Sequence, residues 1–271
     1  MSLIVAFCCV NVFVGVLTFY LVCYSKMLSE ATTPWFLKAP AGEFILWMLF
    51  TLGTWVRRLF PGASIRNSQQ AGKDKAKLLQ ALAPLPGGVC FIGSSTFTFW
   101  RFMTEDFGSL GNPIINSGFG GSCTHDLLPL VESLCCDFNP KVVVYFCGTN
   151  NLTQNLGVSS PLEGFELFVT KLHSRDPSVH VIYLGITTTP FYRRWNINNC
   201  VQNAAASNKA VAEYCAKHSE LLTYVHTDSD DCAFVRDDAN YLGDAHHLND
   251  QGHKLLADLV LLPALRNVLK R

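Results

Sequence analysis

The sequence predicts an α/β fold: a three-layer sandwich on a five-stranded parallel sheet, preceded by an N-terminal transmembrane helix. Three observations predict it. Short, unbroken apolar runs such as "VVVYF" suit strands covered on both faces. Those runs alternate with helix-like segments, the pattern of parallel strands joined by crossover helices. A separate apolar run at the N-terminus carries no charge over 22 residues.

That first run is Leu3–Tyr24, "LIVAFCCVNVFVGVLTFYLVCY". About 20 apolar residues cross a bilayer, so it is long enough. A cleaved signal peptide would want a positive leader and an apolar stretch of roughly 7–15 residues, and only Met1 and Ser2 precede this one. The reading is a retained anchor, residues 1–26, and hence a single-pass membrane protein. A second apolar run, Phe44–Val56, is followed by Arg57 and Arg58. Thirteen residues with Trp47 and Trp55 suit an interfacial helix, and a tilted second crossing is the alternative. Lys26, Lys38, Arg57 and Arg58 come after the first run, which favours a cytosolic main domain for one span and the opposite for two. Residues 27–87 read as a membrane-proximal segment and polar tether, with a short helix around Lys73–Ala83 and a closing proline–glycine cluster.

The main domain runs from residue 88 to 271. Strands are expected at Val89–Ile92, Pro113–Asn116, Val142–Phe146, Val179–Leu184 and Leu222–Val225. Helices are expected at Thr124–Cys136, Leu162–Arg175, Asn198–His218 and Asp250–Leu262. There is no internal repeat and no low-complexity tract.

Charged residues make up 15% of the chain, against about 25% in ordinary soluble proteins, and the net charge is zero. That balance gives no basic field to recruit nucleic acid. Of the eleven cysteines, Cys8, Cys9 and Cys23 lie in the anchor and Cys90 and Cys147 in apolar runs, and none forms a CxxC pair, so they read as buried residues rather than metal or redox sites. The one glycosylation sequon, Asn151-Leu152-Thr153, lies directly after a strand, and its use is not expected.

Ligands of open parallel sheets bind beyond the carboxyl ends of the strands. The residues just past each strand therefore mark the candidate site. "GSST" (Gly93–Thr96) comes after the first strand, "SGFGGS" (Ser117–Ser122) after the second, and "GTNN" (Gly148–Asn151) after the third. "DAHH" (Asp244–His247) comes after the fifth. A serine, a glycine-rich turn, an asparagine and an acid–histidine pair are the parts acyl transfer requires: nucleophile, oxyanion donors, base, and orienter of the base. Asp244 and His247 stand three apart, an offset that suits a carboxylate gripping one ring nitrogen while the other faces Ser95. His246 is expected to point elsewhere. His253 shares a helical face with Leu256 and Val260 and reads as partly buried structure, while Asn249 or Asp250 is expected to cap that helix.

The blocks "FIGSST", "INSGFGGS", "GTNN" and "DAHHLN" resemble, in order, those of the SGNH hydrolases, the superfamily of GDSL esterases and lipases. The likeness covers residue 88 to the C-terminus. It implies a flavodoxin-like fold, Ser95 as nucleophile, Asp244 and His247 completing the triad, and an oxyanion hole from the Ser95 and Gly121 amides and the Asn150 side chain. No metal or organic cofactor is implied. Two positions depart from the pattern: Ser94 replaces the aspartate of GDS, and Asn151 replaces the acid of GxND. The expected substrate is an ester, lipid or otherwise membrane-borne, with an acylated glycan as the alternative. In the loop Thr187–Asn196, Arg193 and Arg194 are candidates to meet an acidic head group, and Phe191 and Trp195 to line an apolar wall. The rival of another class is a non-catalytic, membrane-tethered binding module, against which the intact Ser–Gly–Asn–Asp–His set argues.

Overall fold

The computed structural model describes residues 63–81 and 85–270 of the protein. Both apolar N-terminal runs lie outside the described residues, and among those described no helix is long and apolar enough to cross a membrane.

Five strands form one sheet: β1 (Val89–Gly93), β2 (Ile114–Asn116), β3 (Val142–Phe146), β4 (His180–Leu184) and β5 (Leu222–Val225). All pairings are parallel, in the order β2-β1-β3-β4-β5. Cys90 pairs with Val143, Val143 with Val181, and Val181 with Leu222. The order of strand addition reverses between β1 and β3, the switch point where such folds open a crevice.

The apolar runs are buried because alternate residues feed two cores. Cys90, Ile92, Val143, Tyr145, Val181 and Tyr183 face one layer. That layer contains α1 (Ala63–Gln80), α2 (Ser160–Arg175) and, after the six-residue α3 (Pro190–Trp195), α4 (Cys200–Lys217). Val89, Phe91, Val142, Val144, Ile182 and Leu184 face the other layer, where α5 (Asp250–Leu256) and α6 (Leu262–Leu269) pack. Each such side chain contributes roughly 1.5–3 kcal/mol on burial.

Several boundaries differ from the sequence reading, each for a local reason. The short helix expected near Lys73–Ala83 is the 18-residue α1, and its Ala76 and Leu79 join the core. It packs so closely that a Cβ on Gly72 would meet Leu130 Cδ1 at 2.5 Å. The helix expected over Thr124–Cys136 is broken into Thr124–Leu127 and Val131–Leu134, because Pro129 has no N–H for the carbonyl four residues back. The last helix runs on to Leu269 through a widened turn at Ala257–Leu261, which accommodates Pro263. α4 starts at Cys200, after Asn196, Asn198 and Asn199 at φ of 38°, 53° and 55°; asparagine tolerates that left-handed region.

None of the eight described cysteines forms a disulfide, and all are buried. Burial pushes Cys200 and Cys215 up to about 12, so these thiols are inert at neutral pH.

Candidate active site

β1 ends in Gly93 and β3 in Phe146, with Gly148 two residues on. Gly93 has φ +157°, and a Cβ there would lie 2.0 Å from the Phe146 carbonyl oxygen. Only glycine lets the chain turn off β1 so close to β3. The turn places Ser94 against that strand, its N–H donating to the same carbonyl at 3.1 Å. Ser95 then opens a single helical turn, Ser95–Thr98, where its N–H has no preceding carbonyl to satisfy it within the helix.

His247 reaches Ser95 from the far end of the chain. Its Nε2 lies 3.1 Å from Ser95 Oγ, and its Nδ1 lies 2.7 Å from Asp244 Oδ2. The other carboxylate oxygen, Oδ1, accepts the backbone N–H groups of His246 and His247, both at 2.9 Å. Burial pushes the Asp244 carboxyl up, but the His247 side chain and those two N–H donors outweigh it, and the group is held down at about 2. Asp244 is therefore an anion over all working pH. Facing an anion, Nδ1 carries the proton, which leaves Nε2 with a lone pair toward the serine. Ala245 makes the turn possible at φ 52°. Its carbonyl takes the Phe191 N–H at 2.9 Å, which ties the loop to α3.

Ser95, Asn150 and His247 line one open pocket, with Phe146, Leu184, Leu248 and Leu256 supplying apolar wall; its volume is about 30 Å³. The Asn150 side-chain amide donates to the Ser122 carbonyl at 2.9 Å, which uses one of its two hydrogens and fastens the second block to the third. Gly121, next to Ser122, is exposed and has φ +75°. It sits on the same edge but contributes no wall to the pocket.

The two departures from the family pattern have explicit surroundings. Ser94 is 3% exposed and its carbonyl accepts from Thr98 Oγ1. Asn151 is 1% exposed: Oδ1 accepts the Thr124 N–H at 3.0 Å, while Nδ2 donates to Thr124 Oγ1 and Ser160 Oγ. An amide fits because the place needs an acceptor and a donor together. The same burial leaves Asn151 no room for a glycan.

His246 is half-buried on the pocket wall, its ring against that of Tyr192 at 4.9 Å and its Nδ1 3.5 Å from Thr189 Oγ1. Burial, with a smaller contribution from His247, drives it down to about 3. It is a neutral structural ring. Asn249, not Asp250, caps α5, with Oδ1 accepting the Gly252 N–H.

Of the segment Thr187–Asn196, Thr187 and Thr189 line the pocket, but the four side chains expected to meet substrate do not. Arg193 donates to the Thr188 and Val235 carbonyls, and Arg194 pairs with Asp238. Phe191 is fully buried, and neither it nor Trp195 lines the pocket. Thr189 caps this segment into α3, and the helix turns Arg193 onto neighbouring backbone and Arg194 onto Asp238 rather than into the crevice. Sequence reasoning missed Phe99, whose half-exposed ring lies 4.6 Å from that of His247. Nothing in the local pattern sets this phenylalanine apart from its aromatic neighbours.

Among the described residues, Cys123, His125 and Asp126 bring three potential metal-ligand atoms within 4.8 Å of one another. Two of them already serve the backbone. Asp126 Oδ2 accepts the Cys123 N–H at 2.9 Å, and the Cys123 side chain takes the Asp126 N–H, a reciprocal cap of the Thr124–Leu127 turn.

Comparison with known proteins matches residues 93–255, more than half of the chain, to the GDSL-like Lipase/Acylhydrolase family. Comparison with curated proteins finds no match. Solved structures with this fold include a Streptococcus pneumonia protein described as a candidate platelet activating factor: 18% identity, TM-score 0.62, covering 83% of this chain and 99% of that one. A GDSL-like lipase from Bacteroides thetaiotaomicron gives 19% identity and TM-score 0.58, covering 72% and 97%. A family 3 carbohydrate esterase from Clostridium thermocellum gives 14% and 0.51, covering 67% and 98%. Identities this low speak for the fold alone.

Proposed function

The chain belongs to the GDSL-like lipase/acylhydrolase family, and from that premise we propose that it is a membrane-anchored serine esterase acting on lipid or other membrane-borne esters. Membership makes it a carboxylic ester hydrolase in general terms. The observation that carries the residue assignment is the chain of contacts Ser95 Oγ–His247 Nε2 at 3.1 Å and His247 Nδ1–Asp244 Oδ2 at 2.7 Å.

In this reading His247 takes the Ser95 proton as Oγ attacks the ester carbonyl carbon. The carbonyl oxygen becomes an oxyanion received by the Ser95 N–H, the Gly121 N–H and the second hydrogen of the Asn150 amide. His247 passes the proton to the departing alkoxide, and the acyl group stays on Ser95. Water then gives a proton to His247, attacks the acyl-serine, and releases the acid while the proton returns to Oγ.

Membrane anchoring rests on the uncharged Leu3–Tyr24 run. A membrane-borne substrate is supported by the apolar rim beside the base: Phe99 and Leu242 are 45% and 44% exposed, and the Leu242 N–H donates to the His247 carbonyl. Carbonate extraction of membranes, then blotting, tests the anchor. Retention in the pellet is expected, and release of the full-length chain refutes it.

A second reading, removal of short acyl groups such as acetyl from a glycan, is favoured by the small cavity beside Ser95, about 30 Å³, room for a small group rather than a long chain. Turnover of p-nitrophenyl esters from acetyl to palmitoyl, beside lysophospholipids and acetylated sugars, separates the two. Activity that persists through long chains supports the lipid reading. Activity confined to acetyl esters and acetylated sugars supports the glycan reading.

A further inference from the structure

We propose that His253 is a positioning residue: a buried strut that holds the nucleophile turn at reacting distance from the histidine loop. The proposal rests on the serine-hydrolase reading above, and it assigns His253 no contact with substrate.

The contact joins residues 157 apart in sequence. His253 Nε2 is 3.0 Å from the carbonyl oxygen of Thr96, the residue after Ser95. In a regular helix that carbonyl would accept the Trp100 N–H, but Trp100 donates instead to Phe97. His253 supplies the missing donor. Because Nε2 faces a carbonyl it carries the proton, so Nδ1 is a bare lone pair, buried with no partner. The ring is 1% exposed and stacks on Trp100 at 4.8 Å and 26°. Trp100 is itself fixed by a 2.8 Å bond from Nε1 to Asp106. Burial drives His253 down to about 4, so the ring is neutral and keeps this single tautomer.

The other end of the strut is equally fixed. His253 sits one residue beyond Gly252, where an added Cβ would lie 2.2 Å from the Asn240 carbonyl oxygen. Asn249 Nδ2 donates to the Ala239 and Tyr241 carbonyls, and its N–H donates to Asn240. Leu248 forms a bridge with Tyr241. The first turn of α5 and the loop bearing His247 therefore move as one piece. His253 is the side chain on that piece that grips the Ser95 turn from behind. Losing it frees the separation of Ser95 and His247, and a misplacement of about 1 Å costs on the order of 10²-fold in rate.

The test compares His253→Leu, which removes the donor, with His253→Gln, whose Nε2 amide can replace it. Folded fraction is read by thermal melts, active-site concentration by titration with a fluorophosphonate, and kcat and KM on a short p-nitrophenyl ester. His253→Leu should lose about 10- to 100-fold in kcat per titrated site and in labelling rate, with KM nearly unchanged. His253→Gln should recover most of that loss. If His253→Leu does not fold, His253→Asn carries the same expectation, because its shorter amide stands where Nδ1 was and falls short of Thr96. Unchanged turnover per titrated site in His253→Leu, or in His253→Asn where the leucine variant does not fold, overturns the strut and leaves only a packing role. Failure of the wild-type protein to label at Ser95 overturns the hydrolase reading itself, and the strut with it.

Discussion

Asp244→Asn isolates what the carboxylate does, because an amide can keep part of its bonding. Asn Oδ1 can still accept the His246 and His247 N–H groups, each 2.9 Å away in the native loop. The amide nitrogen then faces His247 Nδ1 in place of the oxygen at 2.7 Å. Two N–H groups cannot face each other, so the ring must adopt the tautomer with Nδ1 bare and the proton on Nε2. That proton points at Ser95 Oγ, and the base is lost. The expected fall in kcat/KM is up to about 10⁴-fold, or about 5.5 kcal/mol of transition-state stabilisation.

The same substitution has a stability signature of defined sign. The Asp244 carboxyl is held at about 2 in the fold against an ordinary 3.8, a difference of about 2 kcal/mol. A depressed carboxyl contributes stability above its unfolded value and loses it as pH falls toward the folded one. The wild-type protein should therefore melt higher than Asp244→Asn at pH 7, by about 4–8 °C for a domain of this size. The gap should close between about pH 4 and pH 2, wherever both still fold. Turnover is measured on p-nitrophenyl acetate and melts by circular dichroism. Activity within about tenfold of wild type would refute the tautomer argument, and a melting gap that widens in acid would refute the charge argument.

Ser95→Ala should lose several orders of magnitude in turnover with an unchanged melt, whereas Ser94→Ala should stay active; the reverse outcome would move the nucleophile by one residue. His246→Ala should cost about 1–2 kcal/mol through the loss of a half-buried ring beside Tyr192, while turnover per folded molecule stays within about tenfold; a dead His246→Ala beside an active His247→Ala, measured together, would break the Asp244 pairing. Asn151→Leu should strand the buried Thr124 N–H, costing about 1–3 kcal/mol and lowering the melt with little effect on kcat; an unchanged melt would show that the three bonds around Asn151 contribute nothing net.

The centre of the sheet was legible because β1 and β3 are uninterrupted apolar runs, and burial on both faces is what such runs require; the edge strands β2 and β5 are shorter and only partly buried. The site was legible because its groups stand just past strand ends and share an edge by topology, and Ser95, Asn150, Asp244 and His247 do meet there. Other features lie below the resolution of pattern. Ala76 and Leu79 are two apolar residues in a polar helix, too few to announce that it docks on the core. Arg193 and Arg194 look solvent-facing in sequence, and only the turn of α3 gives them backbone and Asp238 as partners. The His253–Thr96 contact involves a main-chain carbonyl, which has no residue signature at all.

The departures at Ser94 and Asn151 leave the contacts of the proposed site in place. Ser94 contributes through its main chain: an N–H to Phe146 and a carbonyl to Thr98 Oγ1. Any small side chain leaves those intact, so the aspartate of GDS is not needed to shape the turn. Asn151 is different, since its side chain is the link between the Thr124 turn and the start of α2. There the replacement holds because an amide offers an acceptor to an N–H and donors to two hydroxyls, with no charge to bury in the process. In the proposed mechanism, by contrast, Ser95, Asp244 and His247 act through atoms that no isostere supplies: a hydroxyl to attack, a lone pair to take its proton, and an anion to fix where that lone pair points. In this chain the two departures fall where backbone or neutral hydrogen bonding suffices, away from the side chains through which the proposed mechanism moves a proton.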